Sequence, residues 1–145
     1  CILPEVDTLK IGSLQIRLEH GDLLCTDDVS YQKFRKIIRN PLLLGFLKSM
    51  PLIFRQKLAN GFRKKSAETK QMKSYQIMDV NPKAVEQSLQ TVDVLIHGHT
   101  HRPNIHNENG KSRIVLGDWR EHEAQILEID SEQVHQTLEL KTWTY

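Results

Sequence analysis

The segment of residues 92–103 places the tightest constraint on what this chain can fold into. Its first five residues are apolar with the exception of Asp93, and a short apolar run of this kind is typical of a buried β-strand. The run leads into a glycine and three histidines at alternate positions, His97, His99 and His101. Imidazole is the commonest metal ligand in proteins. The pattern predicts a strand that ends in a metal-binding loop; the alternative is three histidines on a solvated loop.

A second segment ends in the same way. Apolar and polar residues alternate over residues 14–18 after a Gly-Ser pair, which predicts the second strand of a β-hairpin. This strand leads directly into His20-Gly21-Asp22. Residues 97–103, which contain His97, His99 and His101, are called the histidine loop here. Because loops at strand ends often carry functional side chains, we predict that His20 joins the histidine loop in one metal site.

The composition narrows the class of protein. The chain has 145 residues, of which 39% are hydrophobic and 26% are charged. This composition favours a globular domain over a disordered segment. Two cysteines are too few for a disulfide scaffold and favour a reducing, cytosolic compartment. No apolar run in the sequence reaches the length of a membrane span.

Charge is distributed very unevenly along the chain. Residues 33–73 contain twelve Lys or Arg and one acidic residue, a local charge of +11, while the rest carries −9 and the whole chain +2. A basic block of this size predicts an anionic partner, which could be a phosphorylated ligand, a membrane surface or nucleic acid.

The same part of the chain predicts a series of helices over residues 28–78. Asp28 lies in a helix-capping cluster, Pro41 and Pro51 each start a new helix, and Ser66 is predicted to cap a last one. The segment is very apolar as well as basic, which favours a lid that contacts acyl chains or a membrane and also phosphate. An ordinary helical subdomain with a solvated basic face is the alternative. Nucleic acid is the less favoured partner, because the aromatic residues have core-like helical spacing.

The remaining segments predict an α/β fold. A short helix over residues 82–89 precedes the strand of the histidine loop, which is a helix-to-strand connection of the α/β type. An Asn109-Gly110 turn and alternating apolar residues then predict antiparallel strands to the end of the chain.

Three stretches carry a resemblance to a known family. The Gly98-His99-x-His101 motif resembles the last motif of calcineurin-like metallophosphoesterases. Together with residues 20–28 and 78–81, it is similar to the UDP-2,3-diacylglucosamine hydrolases of the lipid A pathway. The resemblance implies a metallophosphoesterase β-sandwich flanked by helices. Residues 1–145 would be its C-terminal portion, and residues 28–78 an inserted helical lid.

The resemblance also implies roles for ten side chains. Two metal ions, typically Mn²⁺, would be held in part by His20, His99 and His101, and His99 would be the catalytic residue that also touches phosphate. Substrate contacts are implied for Asp28, Tyr31, Phe34, Arg63, Ser66, Lys70 and Lys73. The last three have helical spacing and would share a face that suits phosphate, although a solvated helix face is the alternative for the lysines.

The activity implied is hydrolysis of the pyrophosphate bond of UDP-2,3-diacylglucosamine by a metal-activated water, giving UMP and 2,3-diacylglucosamine 1-phosphate. The enzyme would be cytoplasmic and peripheral on the cytoplasmic face of the bacterial inner membrane, with the anionic membrane surface as a partner. Nucleic acid is not an expected partner.

The chain also departs from this family. Members of the family carry three further motifs earlier in the chain, and this sequence contains none of them: Asp-x-His, Gly-Asp-x-x-Asp and Gly-Asn-His/Arg-Asp. In this numbering they would lie before Cys1. We therefore expect that the chain is the C-terminal part of a longer enzyme, and that these 145 residues alone bind metal weakly and do not turn over substrate. Two other interpretations stay open: another metallophosphoesterase, or a basic module for anionic membranes or nucleic acid with a structural zinc site.

Overall fold

A computed structural model describes residues 4–72, 77, 79–130 and 137–144. The chain forms two compact units. The first consists of Cys1–Leu24 and Val80–Tyr145 and is called the sheet unit here. The second consists of Cys25–Asp79 and is called the helical unit.

A five-stranded sheet forms the centre of the sheet unit, with the strand order β1-β2-β3-β5-β4. The three central strands, β2, β3 and β5, run parallel, and the edge strands β1 and β4 pair antiparallel to their neighbours. The strands are β1 (Val6–Ile11), β2 (Leu14–Glu19), β3 (Val94–His97), β4 (Asn104–Glu108) and β5 (Lys111–Val115). Parallel central strands have their carboxyl ends at one edge of the sheet, which is the usual place for a functional site.

A second sheet covers one face of the first. It consists of the antiparallel strands β6 (Glu123–Asp130) and β7 (Thr137–Thr144). Leu127 of β6 and Leu140 of β7 pack against a buried cluster on the large sheet, formed by Ile16, Val94, Ile96 and Ile114. Both the predicted α/β class and the predicted sandwich of two sheets are confirmed.

Asp93, the one polar residue among residues 92–96, directly precedes β3 and has a structural role at the start of the parallel strands. Its carboxylate accepts a hydrogen bond from the Gln15 amide at 2.8 Å, and its own amide donates to the Gln15 carbonyl at 2.9 Å. Its carbonyl accepts from the Ser112 amide at 2.9 Å. Asp93 thus joins the beginnings of β2, β3 and β5.

The single helix of the sheet unit among the described residues is α4 (Pro82–Leu89), with the bounds that the sequence predicts. At the amino end of α4, the Asn81 side chain accepts hydrogen bonds from the amides of Lys83 and Ala84. At the carboxyl end of α4, the Lys111 ammonium donates to the Leu89 carbonyl. Both predicted hairpins are also present, since β1 pairs with β2 and β4 pairs with β5.

The helical unit contains α1 (Val29–Ile38), α2 (Pro41–Ser49) and α3 (Leu52–Met72). The predicted Asp28 cap and the helix start at Pro41 are both present, with Asn40 as the second cap. The predicted separate helix that begins at Ser66 is wrong, because α3 continues through Ser66 to Met72. The neighbouring Lys, Ala and Glu residues are strong helix formers and no proline interrupts them, so the serine has no helix start to cap. Among the described residues, no helix has the length and apolar character needed to cross a membrane.

Candidate metal centre

The candidate site lies in loops that follow the parallel strands of the sheet unit. His20 comes directly after β2, and His99 and His101 come shortly after β3. The register pairs Glu19 with His97, so the two strands end side by side. The loops therefore leave the sheet at the same edge, as the sequence pattern predicts.

His20 and His99 face each other across these two loops. The Nε2 atom of His20 lies 3.2 Å from the Nδ1 atom of His99, and their rings meet nearly edge to face. With one proton between them, one nitrogen donates to the other. Two imidazole nitrogens that each lie about 2.0–2.1 Å from one tetrahedral zinc ion would be about 3.3 Å apart. The spacing of this pair therefore fits two ligands of one divalent metal ion.

Gly21 allows the two loops to approach this closely. Its φ is +103°, and a Cβ atom at this position would lie 2.9 Å from Nδ1 of His97 and 3.0 Å from the Gly98 carbonyl. The Gly98 amide donates a hydrogen bond to the His20 carbonyl at 3.1 Å, which links the loops directly. A side chain at position 21 would push the loops apart and separate His20 from His99.

His97 supports the site without facing a metal. Its side chain is buried, and its Nε2 atom lies 3.3 Å from a guanidinium nitrogen of Arg113. A guanidinium can only donate, so Nε2 accepts and Nδ1 carries the proton. Nδ1 then donates to the Gly98 carbonyl at 3.0 Å. Both ring nitrogens are engaged within the protein, so neither nitrogen of His97 is directed at a metal ion.

The histidine loop adopts backbone conformations that are uncommon for residues other than glycine. The φ angles of His99 and His101 are +68° and +53°. Left-handed conformations cost an L-residue about 1–2 kcal/mol each, and such strain concentrates at functional sites. The Thr100 amide donates to the Gly98 carbonyl at 2.8 Å, which holds the turn between the two histidines.

His101 does not join the His20–His99 pair. In the part of the chain that the structure describes, no group of three or more His, Cys, Asp or Glu could hold a metal ion. The pKa of Asp118, which follows β5, is lowered mainly by the hydrogen bond from Arg120, with the smallest contribution from His101. The metal role of all three histidines stays a prediction, with two of the three now placed together.

The predicted substrate contacts on α1 lie in the helical unit and take part in its structure. Asp28 is buried, and its carboxylate accepts hydrogen bonds from the Tyr31 amide at 2.9 Å and the Ser30 hydroxyl at 2.8 Å. The half-buried Tyr31 and the exposed Phe34 follow on α1, and the Phe34 ring meets the Phe62 ring of α3 at 5.5 Å between centroids.

The remaining predicted substrate contacts belong to α3 and the residues beyond it. Arg63 is exposed, with its guanidinium 3.5 Å from the Asn60 side-chain oxygen, and Ser66 is exposed as well. Lys70 lies in α3, but its side chain is outside the described part of the structure, as is the whole of Lys73. The roles of these residues stay predictions.

Two residues near the histidine loop were not predicted from the sequence. Arg113 lies on β5 and reaches His97, and Asp118 follows β5 and accepts a hydrogen bond from Arg120. Asp118 follows a parallel strand, as His20 and His99 do, so the same strand-end pattern could have predicted its place near the site. Nothing in the sequence around Arg113 distinguishes it from a surface arginine.

Several curated proteins from different bacteria that are similar to this chain are named UDP-2,3-diacylglucosamine hydrolase. The protein of that name from Haemophilus influenzae (strain PittGG) is 44% identical over 131 residues, or 89% of this chain and 55% of that protein. The Serratia proteamaculans (strain 568) protein is 44% identical over 139 residues, or 92% of this chain and 58% of its own length. The Neisseria meningitidis (strain MC58) protein is 43% identical over 133 residues, covering 90% and 55%.

The predicted resemblance to UDP-2,3-diacylglucosamine hydrolases is thereby confirmed over about nine tenths of the chain. The chain spans a little more than half the length of these curated relatives. No protein-family model matches it.

Similarity to solved structures is much weaker. Vacuolar Protein Sorting 29 from Cryptosporidium parvum gives a TM-score of 0.41 with 13% identity, covering 99% of this chain and 59% of that chain. The Zn²⁺ complex of Vps29 from Entamoeba histolytica gives 0.39 with 16% identity, covering 95% and 60%. A likeness of this degree bears on neither the site nor the function.

Proposed function

We propose that this chain supplies metal-ligating residues to an enzyme that hydrolyses the pyrophosphate bond of UDP-2,3-diacylglucosamine. The products would be UMP and 2,3-diacylglucosamine 1-phosphate. The names of the similar proteins support the substrate. The observation that carries the proposal is the His20–His99 pair, which joins two loops 79 residues apart in the sequence at the carboxyl edge of a parallel sheet.

The residues of the site divide into ligands and supports. His20 and His99 would bind a divalent metal, which we propose to be one of two Mn²⁺ ions, with His101 as a further ligand. When bound, the metal would activate water and stabilise charge that develops on the phosphate oxygens. His99 would also contact the phosphate directly. His97 keeps the Gly98 carbonyl in place through its Nδ1–H, and Gly21 keeps the loops close together.

The helical unit would bind the lipid part of the substrate and the membrane. Its apolar side chains are exposed on α2 and α3, with Leu42 83% exposed and Ile53 64% exposed. Cationic side chains share these helices, including Arg55, Lys57 and Arg63. Exposed apolar area next to positive charge suits an anionic lipid surface. We therefore propose that residues 28–78 form a lid, and that the protein associates peripherally with the cytoplasmic face of the bacterial inner membrane.

The test replaces each histidine of the pair in a full-length protein that carries this sequence. His20→Ala and His99→Ala should each lower hydrolysis of UDP-2,3-diacylglucosamine by at least about 100-fold, because each removes a ligand of the metal that activates water. Calorimetric titration of each purified variant with Mn²⁺ should show weaker binding of the metal. His122→Ala, at an exposed histidine before β6, is the matched control and should retain both properties.

Two results would contradict the proposal. One is full activity in the His20→Ala and His99→Ala variants, since no ligand role could then be assigned to the pair. The other is loss of binding to anionic vesicles with hydrolysis intact, because the histidines would then serve a binding module instead of an enzyme.

A further inference from the structure

The loop that follows β5 lies beside the histidine loop. The Leu116 amide donates to the His97 carbonyl at 2.7 Å at one end of the histidine loop, and Val115 pairs with Asn104 at its other end. A Cβ atom on Gly117 would lie 3.4 Å from Cγ of Pro103 and 2.5 Å from Cγ of Gln125. The third parallel strand therefore delivers residues 117–120 to the same edge of the sheet as His20 and His99.

This loop is held in place on both sides of Trp119. The Arg120 guanidinium binds the Asp118 carboxylate at 3.2 Å and the Glu123 carboxylate at 3.3 Å. The Arg120 amide also donates to the Glu123 carbonyl at 2.8 Å. Together with the packing of Gly117 against Pro103 and Gln125, these contacts hold the backbone around Trp119 in a defined turn.

The indole of Trp119 is nonetheless 71% exposed. Among the described residues of the sheet unit, large apolar side chains are exposed at two positions, Trp119 and Trp143. A tryptophan side chain has only two rotatable bonds, so its ring can stack on a planar ligand with little loss of conformational freedom. The ring of Trp119 is thus available for a flat group bound near the histidine loop.

The charges around this indole favour a polar flat ligand over an acyl chain. Asp118 and Arg120 flank Trp119 directly, and an acyl chain lying on the ring would exclude water from both. A nucleobase carries its own polar groups and is compatible with charged neighbours, so it suits this position better than an acyl chain. Stacking on an aromatic side chain is also a general way of binding nucleotide bases.

We propose that Trp119 stacks on the nucleobase of the substrate while the phosphates occupy the histidine loop. The inference rests on the proposed function, because the uridine comes from the substrate proposed there. Trp119 would be a binding residue that sets affinity for the nucleotide portion and takes no part in the reaction at phosphorus.

Tryptophan fluorescence tests the contact without requiring turnover. The chain has two tryptophans, so Trp143→Phe leaves Trp119 as the single emitter and Trp119→Phe leaves Trp143. UMP should quench the emission of the Trp143→Phe variant and leave that of Trp119→Phe unchanged. Ribose 5-phosphate, which has the sugar and phosphate but no base, should quench neither. Equal quenching of the two variants by UMP, or no quenching where calorimetry shows UMP bound, would overturn the stacking.

Steady-state kinetics of the full-length protein give a second measurement. Trp119→Ala should raise KM for UDP-2,3-diacylglucosamine by roughly 5- to 100-fold, the range that stacking of one base spans, and should lower kcat much less. Trp119→Phe should recover most of the affinity, and Trp143→Ala should behave as the wild type. An unchanged KM in Trp119→Ala would overturn this inference and leave the hydrolase intact. Hydrolysis that persists without His20 and His99 would overturn the proposed function and leave the UMP quenching intact.

Discussion

The sheet unit buries its apolar side chains among themselves, whereas the helical unit leaves most of its own on the surface. In the part of the chain that the structure describes, ten buried apolar residues form the core, of which nine belong to the sheet unit and one, Cys25, to the helical unit. The exposed large apolar residues of the same part show the opposite distribution, with twelve in the helical unit and two, Trp119 and Trp143, in the sheet unit.

This difference separates two uses of apolar residues. In the sheet unit they stabilise the scaffold that places His20 against His99. In the helical unit, α1 and α2 have no buried residue, and the described side chains of α3, residues 52–66 and 68, are all exposed. Exposed apolar side chains in this number on one set of helices favour an interaction surface. A pattern of apolar residues therefore does not tell whether the residues form a core or a binding surface.

Two leucines, one from each unit, offer the strongest test of this comparison. Leu95 on β3 is fully buried and Leu42 on α2 is 83% exposed. Leu95→Ala should lower the free energy of unfolding by about 2–5 kcal/mol, because it leaves a cavity in the core. Leu42→Ala should change it by less than about 0.5 kcal/mol. Urea denaturation followed by circular dichroism measures both, and a similar loss in the two variants would contradict the comparison.

Two glycines give the next largest contrast. Gly21→Ala should destabilise the protein by about 2–4 kcal/mol, because it adds a left-handed alanine and a clash with His97. Gly61 lies inside α3, and a Cβ atom added there would meet nothing within 4 Å, so Gly61→Ala should stabilise by about 0.5–1 kcal/mol. Thermal unfolding measures both changes: Tm should fall in Gly21→Ala and rise in Gly61→Ala. Weaker binding of Mn²⁺ in Gly21→Ala would further show that the loops hold the metal ligands together, and a stable, metal-binding Gly21→Ala protein would refute this role.

Vesicle binding sharpens the functional side of the comparison. Leu42→Ala should weaken binding to anionic phospholipid vesicles by about tenfold, since inserting the lost methyl and methylene groups would contribute to affinity. Trp143→Ala removes an exposed apolar side chain from the sheet unit and should have no effect. Sedimentation with vesicles at two salt concentrations measures this, and wild-type binding should weaken at high salt. Equal binding by wild type and Leu42→Ala would argue against a membrane role for α2.

The smallest expected effect concerns an ion pair in the sheet unit. The Lys141 ammonium lies 2.7 Å from Glu128 and 3.4 Å from Glu139, and the first of these bonds chiefly raises its pKa above 10.5. A raised lysine pKa stabilises the folded state fully below the unfolded pKa of 10.5, and this contribution is lost as pH rises through the folded value. The Tm advantage of wild type over Lys141→Met should therefore shrink above pH 10.5. In a Glu128→Gln background this pH dependence should largely disappear.

Much of the local structure follows from short-range patterns. The sequence predicts the Asn109-Gly110 turn, the Asp28 cap, the helix start at Pro41 and the bounds of α4, because each depends on a few adjacent residues. Ser66 was misjudged as a cap, because a capping residue acts only where the neighbouring residues also end a helix. Its neighbours favour continuation.

The histidine loop shows where the sequence by itself was sufficient and where it was not. The apolar run, the glycines and the alternating histidines determined that a buried strand ends in a loop with metal-ligand chemistry, since those signals are local. Only the tertiary structure decided which histidines meet. The parallel register of β2 and β3 sets His20 against His99, whereas His101 lies outside this pair in a loop whose backbone is left-handed at both His99 and His101. The matching strand ends predicted that His20 lies near this loop, but which histidine of the loop it contacts depends on the strand register and the loop backbone, which no local pattern of residues encodes.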